Sequence, residues 1–273
     1  MHIVHACHPH TWEVGCKGVS GMGKSVCSRR SFLGGAAAVT LGAGPVAAFD
    51  QPIALPTDIT SGDQATVVAV RARSAFVAMT FDDGPHPRHT PILLDMLKAR
   101  GIRATFYLIG ENVVRYPALV RRIVEERHEI GNHTWSHPFL TQRSPSQVIA
   151  ELDRTTLAIF EATGKAPRTM RPPYGAMNRR QRLMVHQERK MPTILWSVDP
   201  QDWQRPGSSV VARRIISASR AGAIVLAHDI HGPTVRAMPA TLDGLRSRGF
   251  DFVTVSQALG WRDWSDITFK RKV

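Results

Sequence analysis

Apolar residues recur along this chain in short β-type runs, separated by stretches in which the apolar positions follow a helical period. The runs fall at 75–81, 104–109, 193–198, 223–227 and 252–255, with a strand-like stretch at 65–70 before them. Two helix starts are well marked between the runs. Thr90-Pro91 and Ser144-Pro145 each place a capping side chain before a proline that suits the first helical turn. Gly101 and Gly164 supply the corresponding stops. Ile92, Leu93, Met96 and Leu97 share one face of the first helix, and Val148, Leu152 and Ile159 one face of the second, so both stripes predict core. Strand alternating with helix, without an internal repeat, predicts one barrel-like α/β domain.

The region ahead of the first run reads differently. Ser28-Arg29-Arg30-Ser31-Phe32-Leu33 precedes an uncharged Gly/Ala-rich run over 34–48, the layout of a twin-arginine export signal. Val46-Ala47-Ala48 offers small residues for cleavage, so the mature chain is expected to begin near Phe49; Met22 makes as good a start as Met1. The run is too short to span a bilayer stably, and no second span of about twenty apolar residues follows, so no transmembrane anchor is expected in the mature protein. Residues 1–48 are therefore assigned to an N-terminal extension and signal peptide. Residues 49–74 form a linker and leading strand, 75–260 the folded domain, and 261–273 a basic tail read as a solvated end.

Charge and cysteine usage narrow the setting. With 35 Lys and Arg against 22 Asp and Glu in 273 residues, the formal net charge is +13, and it remains +10 once residues 1–48 are gone. Such a surface meets anionic wall polymers, lipid headgroups or nucleic acid. The lack of a basic stripe interleaved with aromatics argues against nucleic acid. Cys7, Cys16 and Cys27 all precede the cleavage point, so disulfides do not hold the domain together, and the Cys-free body suits the periplasm or the exterior.

The chemistry collects at the ends of the apolar runs, where the strands of a β/α barrel converge. Asp82-Asp83, Asp199 with Asp202, and His228 each follow such a run directly, and His133 follows Ile130-Gly131. His133 and His137 are spaced four apart, which on a helical turn points both imidazoles the same way. Two neutral imidazoles and one carboxylate make a three-ligand site with open positions for water, as in a catalytic rather than a structural metal centre. Zinc is the default for these ligand types, with cobalt as the alternative. Arg171-Pro172-Pro173-Tyr174-Gly175 is a proline-set loop whose arginine could orient a neighbouring carboxylate. The indole of Trp203 suits stacking on a sugar ring, and His228 is well placed as a general acid. Each segment alone is compatible with an ordinary turn or core position. Their joint occurrence decides.

Thr-Phe-Asp-Asp-Gly-Pro, His-Thr-Trp-Ser-His, Arg-Pro-Pro-Tyr-Gly, Asp-Pro-Gln-Asp-Trp and Leu-Ala-His-Asp stand in this order between about residues 76 and 259. Together they resemble the five motifs of the NodB-type polysaccharide deacetylases, carbohydrate esterase family four. The resemblance implies a single distorted (β/α) barrel and a metal-dependent hydrolysis of N-acetyl groups from an amino-sugar polymer or oligomer. It makes Asp82 the catalytic base, Asp83, His133 and His137 the metal ligands, His228 the general acid and Asp202 its partner. Arg171 would orient Asp82, Tyr174 would offer its backbone N–H to the oxyanion, and Pro173, Tyr174, Trp203 and Leu226 would line the substrate groove. An O-acetyl esterase of xylan type, and less readily a non-catalytic carbohydrate-binding homologue, stand as alternatives. Asp199, Asp229 and His231 receive no role.

Overall fold

The computed structural model describes residues 59–60 and 65–261. The export leader, the cleavage site and the tail beyond Trp261 lie outside the described residues. Short strands β1 (Ile59–Thr60), β2 (Thr66–Val67) and β3 (Ala69–Val70) lead into β4 (Phe76–Asp82) and helix α1 (His89–Ala99). There follow β5 (Thr105–Leu108), α2 (Gly110–Arg115), α3 (Pro117–Glu125) and β6 (Glu129–Asn132). Helices α4 (Pro145–Thr163) and α5 (Arg179–Arg189), strand β7 (Thr193–Ile194) and helix α6 (Ser208–Ala218) come next. The order ends with β8 (Ala223–His228), α7 (Gly232–Ser247), β9 (Asp251–Phe252) and α8 (Val255–Ala258). Among the described residues no helix is long and apolar enough to cross a membrane.

The sheet closes on itself. Strand β4 pairs in parallel with β8 on one side and β5 on the other, and β5 pairs with β6. Single bridges, Asn132 to Met170, Met170 to Thr193 and Val198 to Val225, carry the ring onward and back to β8. The result is the expected distorted (β/α) barrel. Closure through single bridges also explains two differences from the sequence pattern. The run at 193–198 contributes only the two-residue β7, because its N–H groups divide between two neighbours: Leu195 donates to Val67, whereas Ser197 and Val198 donate to Ile224. At 252–255, Val255 instead opens α8, because the Thr254 hydroxyl caps that helix by accepting from the Gln257 N–H.

The two-residue period of each strand sorts its side chains between two cores. On β4, Val77, Met79 and Phe81 face the helices, together with Val225 and Ala227 of β8. Phe76 and Ala78 point into the barrel with Ile224 of β8 and Tyr107 of β5. At the same inward parity, Thr80 and Asp82 continue up β4, and Leu226 and His228 up β8. Asp82 pairs in register with His228. One end of the barrel is closed by α8, where the Ser256 N–H and hydroxyl each donate to the fully buried Glu129 carboxylate at 2.8 Å.

The Ser144 start and the Gly101 and Gly164 stops stand as the sequence predicts. Ser144 and Gln147 form a reciprocal capping box, and both glycines take left-handed dihedrals. Thr90 is different. Helix α1 begins two residues earlier, at His89, without a side-chain cap, and the buried Thr90 hydroxyl donates to Asp229. The helix docks through Thr90, Leu93, Leu94 and Leu97, which leaves Ile92 on the solvent side at 43 % exposure. Gly131, inward on β6, lies where a Cβ would overlap the buried Tyr107 ring. Gly131→Ala is therefore expected to destabilise the domain by about 1–3 kcal/mol, measured by urea unfolding.

Candidate active site

The inward column of β4 ends in Asp82, 2 % exposed, whose Oδ1 accepts from Arg171 Nη1 at 2.7 Å. Arg171 is itself fully buried, and every polar nitrogen of its guanidinium is used. Nη1 also donates to Thr80 Oγ1 at 2.6 Å, while Nε and Nη2 donate to the carbonyls of Ile194 and Leu195, each at 3.1 Å. Its plane lies 4.2 Å above the Tyr107 ring. Four segments of the barrel thus meet on one cation, which fixes the Asp82 carboxylate before any ligand arrives.

The next residue turns away. Asp83 takes a left-handed φ of 73°, and the carbonyl it carries accepts from Asn112 Nδ2 at 2.9 Å. Its Oδ1 is 3.2 Å from Nε2 of His133 and 3.2 Å from Nε2 of His137, in neither case with the alignment of a hydrogen bond. The two imidazoles converge with ring centres 5.0 Å apart. They do so from a loop rather than from the helical turn the spacing predicts, with Thr134 at φ 67° and His137 at φ 58°. His133 Nδ1 is 2.7 Å from the Arg171 carbonyl. A carbonyl only accepts, so Nδ1 holds the proton and the Nε2 lone pair faces Asp83.

The donor set fits a divalent cation. One carboxylate oxygen and two imidazole nitrogens lie within 4.8 Å of one another. Donors about 2 Å from one tetrahedral ion lie a little over 3 Å apart. Asp83 Oδ1 is buried without a hydrogen-bond partner, an arrangement that is costly unless a cation occupies the space between the donors.

Across the cavity, His228 Nδ1–H donates to Asp202 Oδ1 at 2.8 Å. The same carboxylate accepts the His228 backbone N–H at 2.8 Å and the Thr234 hydroxyl at 2.7 Å. Burial works against the imidazolium, but Asp202 and the more distant Asp82 and Asp83 overcome it, raising the His228 pKa to about 9. Burial would raise the Asp202 pKa in turn, yet the paired His228 keeps it lowered.

These groups open onto a cavity of about 370 Å³ lined by Asp82, Asp83, His133, His137, His228 and Leu226, with Tyr174 and Trp203 at 58 % and 53 % exposure. Of the two prolines of this loop, Pro172 lines the cavity, whereas the expected Pro173 does not line it and opens a short 3-10 turn over Pro173–Gly175. Tyr174 has φ 59° and stacks on Phe139 at 4.0 Å, with His137 edge-on at 4.7 Å. Trp196, Asp199 and His231 also line the cavity. Trp196 sits in an apolar run that gave no sign of a cavity position, and nothing in the local sequence raised His231 above an ordinary loop histidine. Asp229, which also has no assigned role in the sequence, is fully buried behind the Asp82-Asp83 turn, and burial pushes its pKa up to about 7.

The barrel thus gathers Asp83, His133 and His137 at the carboxyl ends of its strands, and comparison with known proteins identifies the family. The model of the polysaccharide deacetylase family matches residues 69–189. The chain is 43 % identical over 184 residues to the peptidoglycan-N-acetylglucosamine deacetylase PgdA of Listeria monocytogenes, covering 67 % of this chain and 39 % of that protein. It thus spans well under half the length of that relative. It is 39 % identical over 196 residues to the chitooligosaccharide deacetylase of Bradyrhizobium sp., covering 66 % of this chain and 89 % of that protein. Among solved structures, a CE4 family pseudoenzyme from Bacillus anthracis superposes with a TM-score of 0.68 at 28 % identity, covering 71 % of this chain and 69 % of that one. This chain belongs to the polysaccharide deacetylase family. Because a family member can be a pseudoenzyme, activity has to be argued from the residues of the site.

Removing the arginine tests how far the site depends on it. Arg171→Ala strands the Asp82 carboxylate in the barrel interior and is expected to cost about 3–5 kcal/mol in urea unfolding.

Proposed function

We propose that this protein is a metal-dependent deacetylase that hydrolyses N-acetyl groups on an amino-sugar polymer or oligomer of the peptidoglycan or chitin-like kind. The observation that carries the reading is the in-register pairing of Asp82 with His228 on one cavity, with the Asp83, His133 and His137 donors converging beside them. The relatives named as deacetylases of peptidoglycan and of chitooligosaccharides support the substrate class.

Asp83, His133 and His137 would hold the cation, with zinc favoured by two imidazoles and one carboxylate. Such an ion supplies Lewis acidity toward the acetyl carbonyl and toward an attacking water. Asp82, held by Arg171, takes the proton of that water as the carbonyl carbon is attacked. The backbone N–H of Tyr174, on a loop set by its left-handed conformation, serves the developing oxyanion. His228, protonated and oriented by Asp202, delivers a proton to the departing nitrogen, which is a poor leaving group without it. Trp203 and Leu226 offer the apolar wall against which the sugar packs.

The leader supports export by the twin-arginine route to the periplasm or beyond, where the basic surface meets anionic wall material. The functional domain is assigned to residues 75–260.

Acetate release from N-acetylglucosamine oligomers and peptidoglycan, by protein lacking residues 1–48, is expected to vanish on chelation, to return with zinc, and to be absent in Asp82→Asn. A zinc-loaded protein that released acetate only from O-acetyl esters would replace this reading with the esterase one. No release from either substrate would leave the binding homologue.

The pH profile gives a second test. A general acid works while protonated, so kcat/KM is expected to hold through neutral pH and fall as pH rises through the His228 pKa. A dication at Asp83 opposes the imidazolium, which puts that limb at or below about pH 9. Asp202→Asn removes the charge that raises this pKa and is expected to shift the limb to lower pH.

A further inference from the structure

The loop that carries both histidines is gripped from two sides. From α2, the N–H groups of Gly110 and Glu111 donate to the carbonyls of Thr134 and Trp135, at 2.9 and 3.2 Å. From α4, Glu151 receives what the loop has to donate. Its Oε2 accepts the backbone N–H groups of Trp135 and Ser136 at 2.8 and 2.9 Å, and its Oε1 accepts the Ser136 hydroxyl at 3.0 Å. Thr134 N–H donates to Asn132 Oδ1 at 2.9 Å and His137 N–H to Thr134 Oγ1 at 3.2 Å, while His133 is held separately, its N–H on the Leu108 carbonyl at 3.0 Å and its Nδ1 on the Arg171 carbonyl at 2.7 Å. Asn132 is in turn tied to α4 through Leu152 and Thr156.

This grip holds a conformation the backbone resists. Thr134 is β-branched and sits at φ 67°, and His137 sits at φ 58°, both in the left-handed region that such residues rarely enter. His133 precedes the gripped segment and His137 follows it, so the spacing of their Nε2 atoms depends on this segment keeping its shape. Trp135 adds to the fit: it lies against Gly110, where a Cβ would come within 2.5 Å of its ring, and Arg154 of α4 stacks on its face at 4.0 Å.

We infer that Glu151 is a positioning residue for the metal centre, clamping the 134–136 segment so that His133 and His137 meet Asp83 with the separation a divalent cation requires. The inference rests on the metal-site reading above. It assigns a role to a residue twelve or more positions along the chain from the histidines, on a different element. Carboxylates that orient ligating side chains typically set metal affinity by about ten- to a hundred-fold.

Zinc affinity, measured on the purified protein by competition with a chromophoric chelator, tests the assignment, with the melting temperature of the metal-free protein measured alongside. Glu151→Ala is expected to weaken zinc binding about ten-fold or more. Glu151→Gln keeps an oxygen for the two backbone N–H groups and is expected to recover most of the loss. Ser136→Ala, which loses only the hydroxyl bond, is expected to stay within about two- to three-fold of the unaltered protein. Zinc affinity unchanged in Glu151→Ala overturns the inference. So does a fall in metal-free melting temperature with affinity intact, which marks a purely structural role. If Glu151→Ala does not fold, the decision passes to Glu151→Asp, whose shorter side chain draws the carboxylate back from the Trp135 and Ser136 N–H groups. In that variant a zinc affinity lowered several-fold at an unchanged melting temperature supports the clamp, and full affinity overturns it. An unaltered protein that binds no zinc at all would instead refute the metal site itself.

Discussion

A fully buried guanidinium is the constraint around which the barrel is organised. Arg171 comes from a segment joined to β6 and β7 by single bridges, and its side chain ties β4, through the Asp82 carboxylate and the Thr80 hydroxyl, to the carbonyls of Ile194 in β7 and of Leu195 just after it. Burying such an ion pair is no guaranteed gain in stability, because desolvation offsets the attraction. What it provides is alignment. With all three of its nitrogens hydrogen-bonded, the arginine has one position, and Asp82 therefore has one orientation beside the Asp83, His133 and His137 cluster. The same residue's carbonyl sets the tautomer of His133, so a single amino acid orients the proposed base with its side chain and a proposed ligand with its backbone.

Around that fixed point the site holds a concentration of unfavourable backbone. Asp83, Thr134, His137 and Tyr174 all have positive φ, and each such residue costs of order 1–3 kcal/mol. They are the carboxylate of the proposed metal site, two residues of the histidine loop and the proposed oxyanion donor. The surrounding bonds over-determine these conformations: Asn112 on the Asp83 carbonyl, Glu151 on the histidine loop, and the Phe139 ring stacked on Tyr174. Two independent carboxylate pairs, Asp82 with Arg171 and Asp202 with His228, then differ in what they accomplish. The first keeps a carboxylate aimed, and the second keeps an imidazole protonated near neutral pH.

The barrel and most of its chemistry were legible along the chain, because strand ends and chemical residues coincide. Asp82 closes an apolar run, and so does His228; in a parallel barrel such ends converge whatever the intervening helices look like. The α4 boundaries were equally legible, since Ser144, Gln147 and Gly164 carry their capping physics locally. Thr90 shows the limit of that reading: its local signature is a cap, yet a buried carboxylate far away in sequence, Asp229, takes its hydroxyl. The 193–198 run shows another, as its hydrogen bonds are divided between neighbours that no periodicity can name.

The sequence by itself determined the alternation of strand and helix, the residue types of the centre, and the family whose motifs they match, since these depend on spacing within short segments. Tertiary structure alone decided which aspartate is held by Arg171 and which faces the histidines. It also decided that the histidines converge through a left-handed loop, that Pro172 rather than Pro173 reaches the cavity, and that Glu151 grips the loop. Each of these turns on which way a side chain points from its backbone and on what arrives beside it from another element. Neither is encoded in the neighbouring residues, because the contacts that settle them are made between segments tens of residues apart.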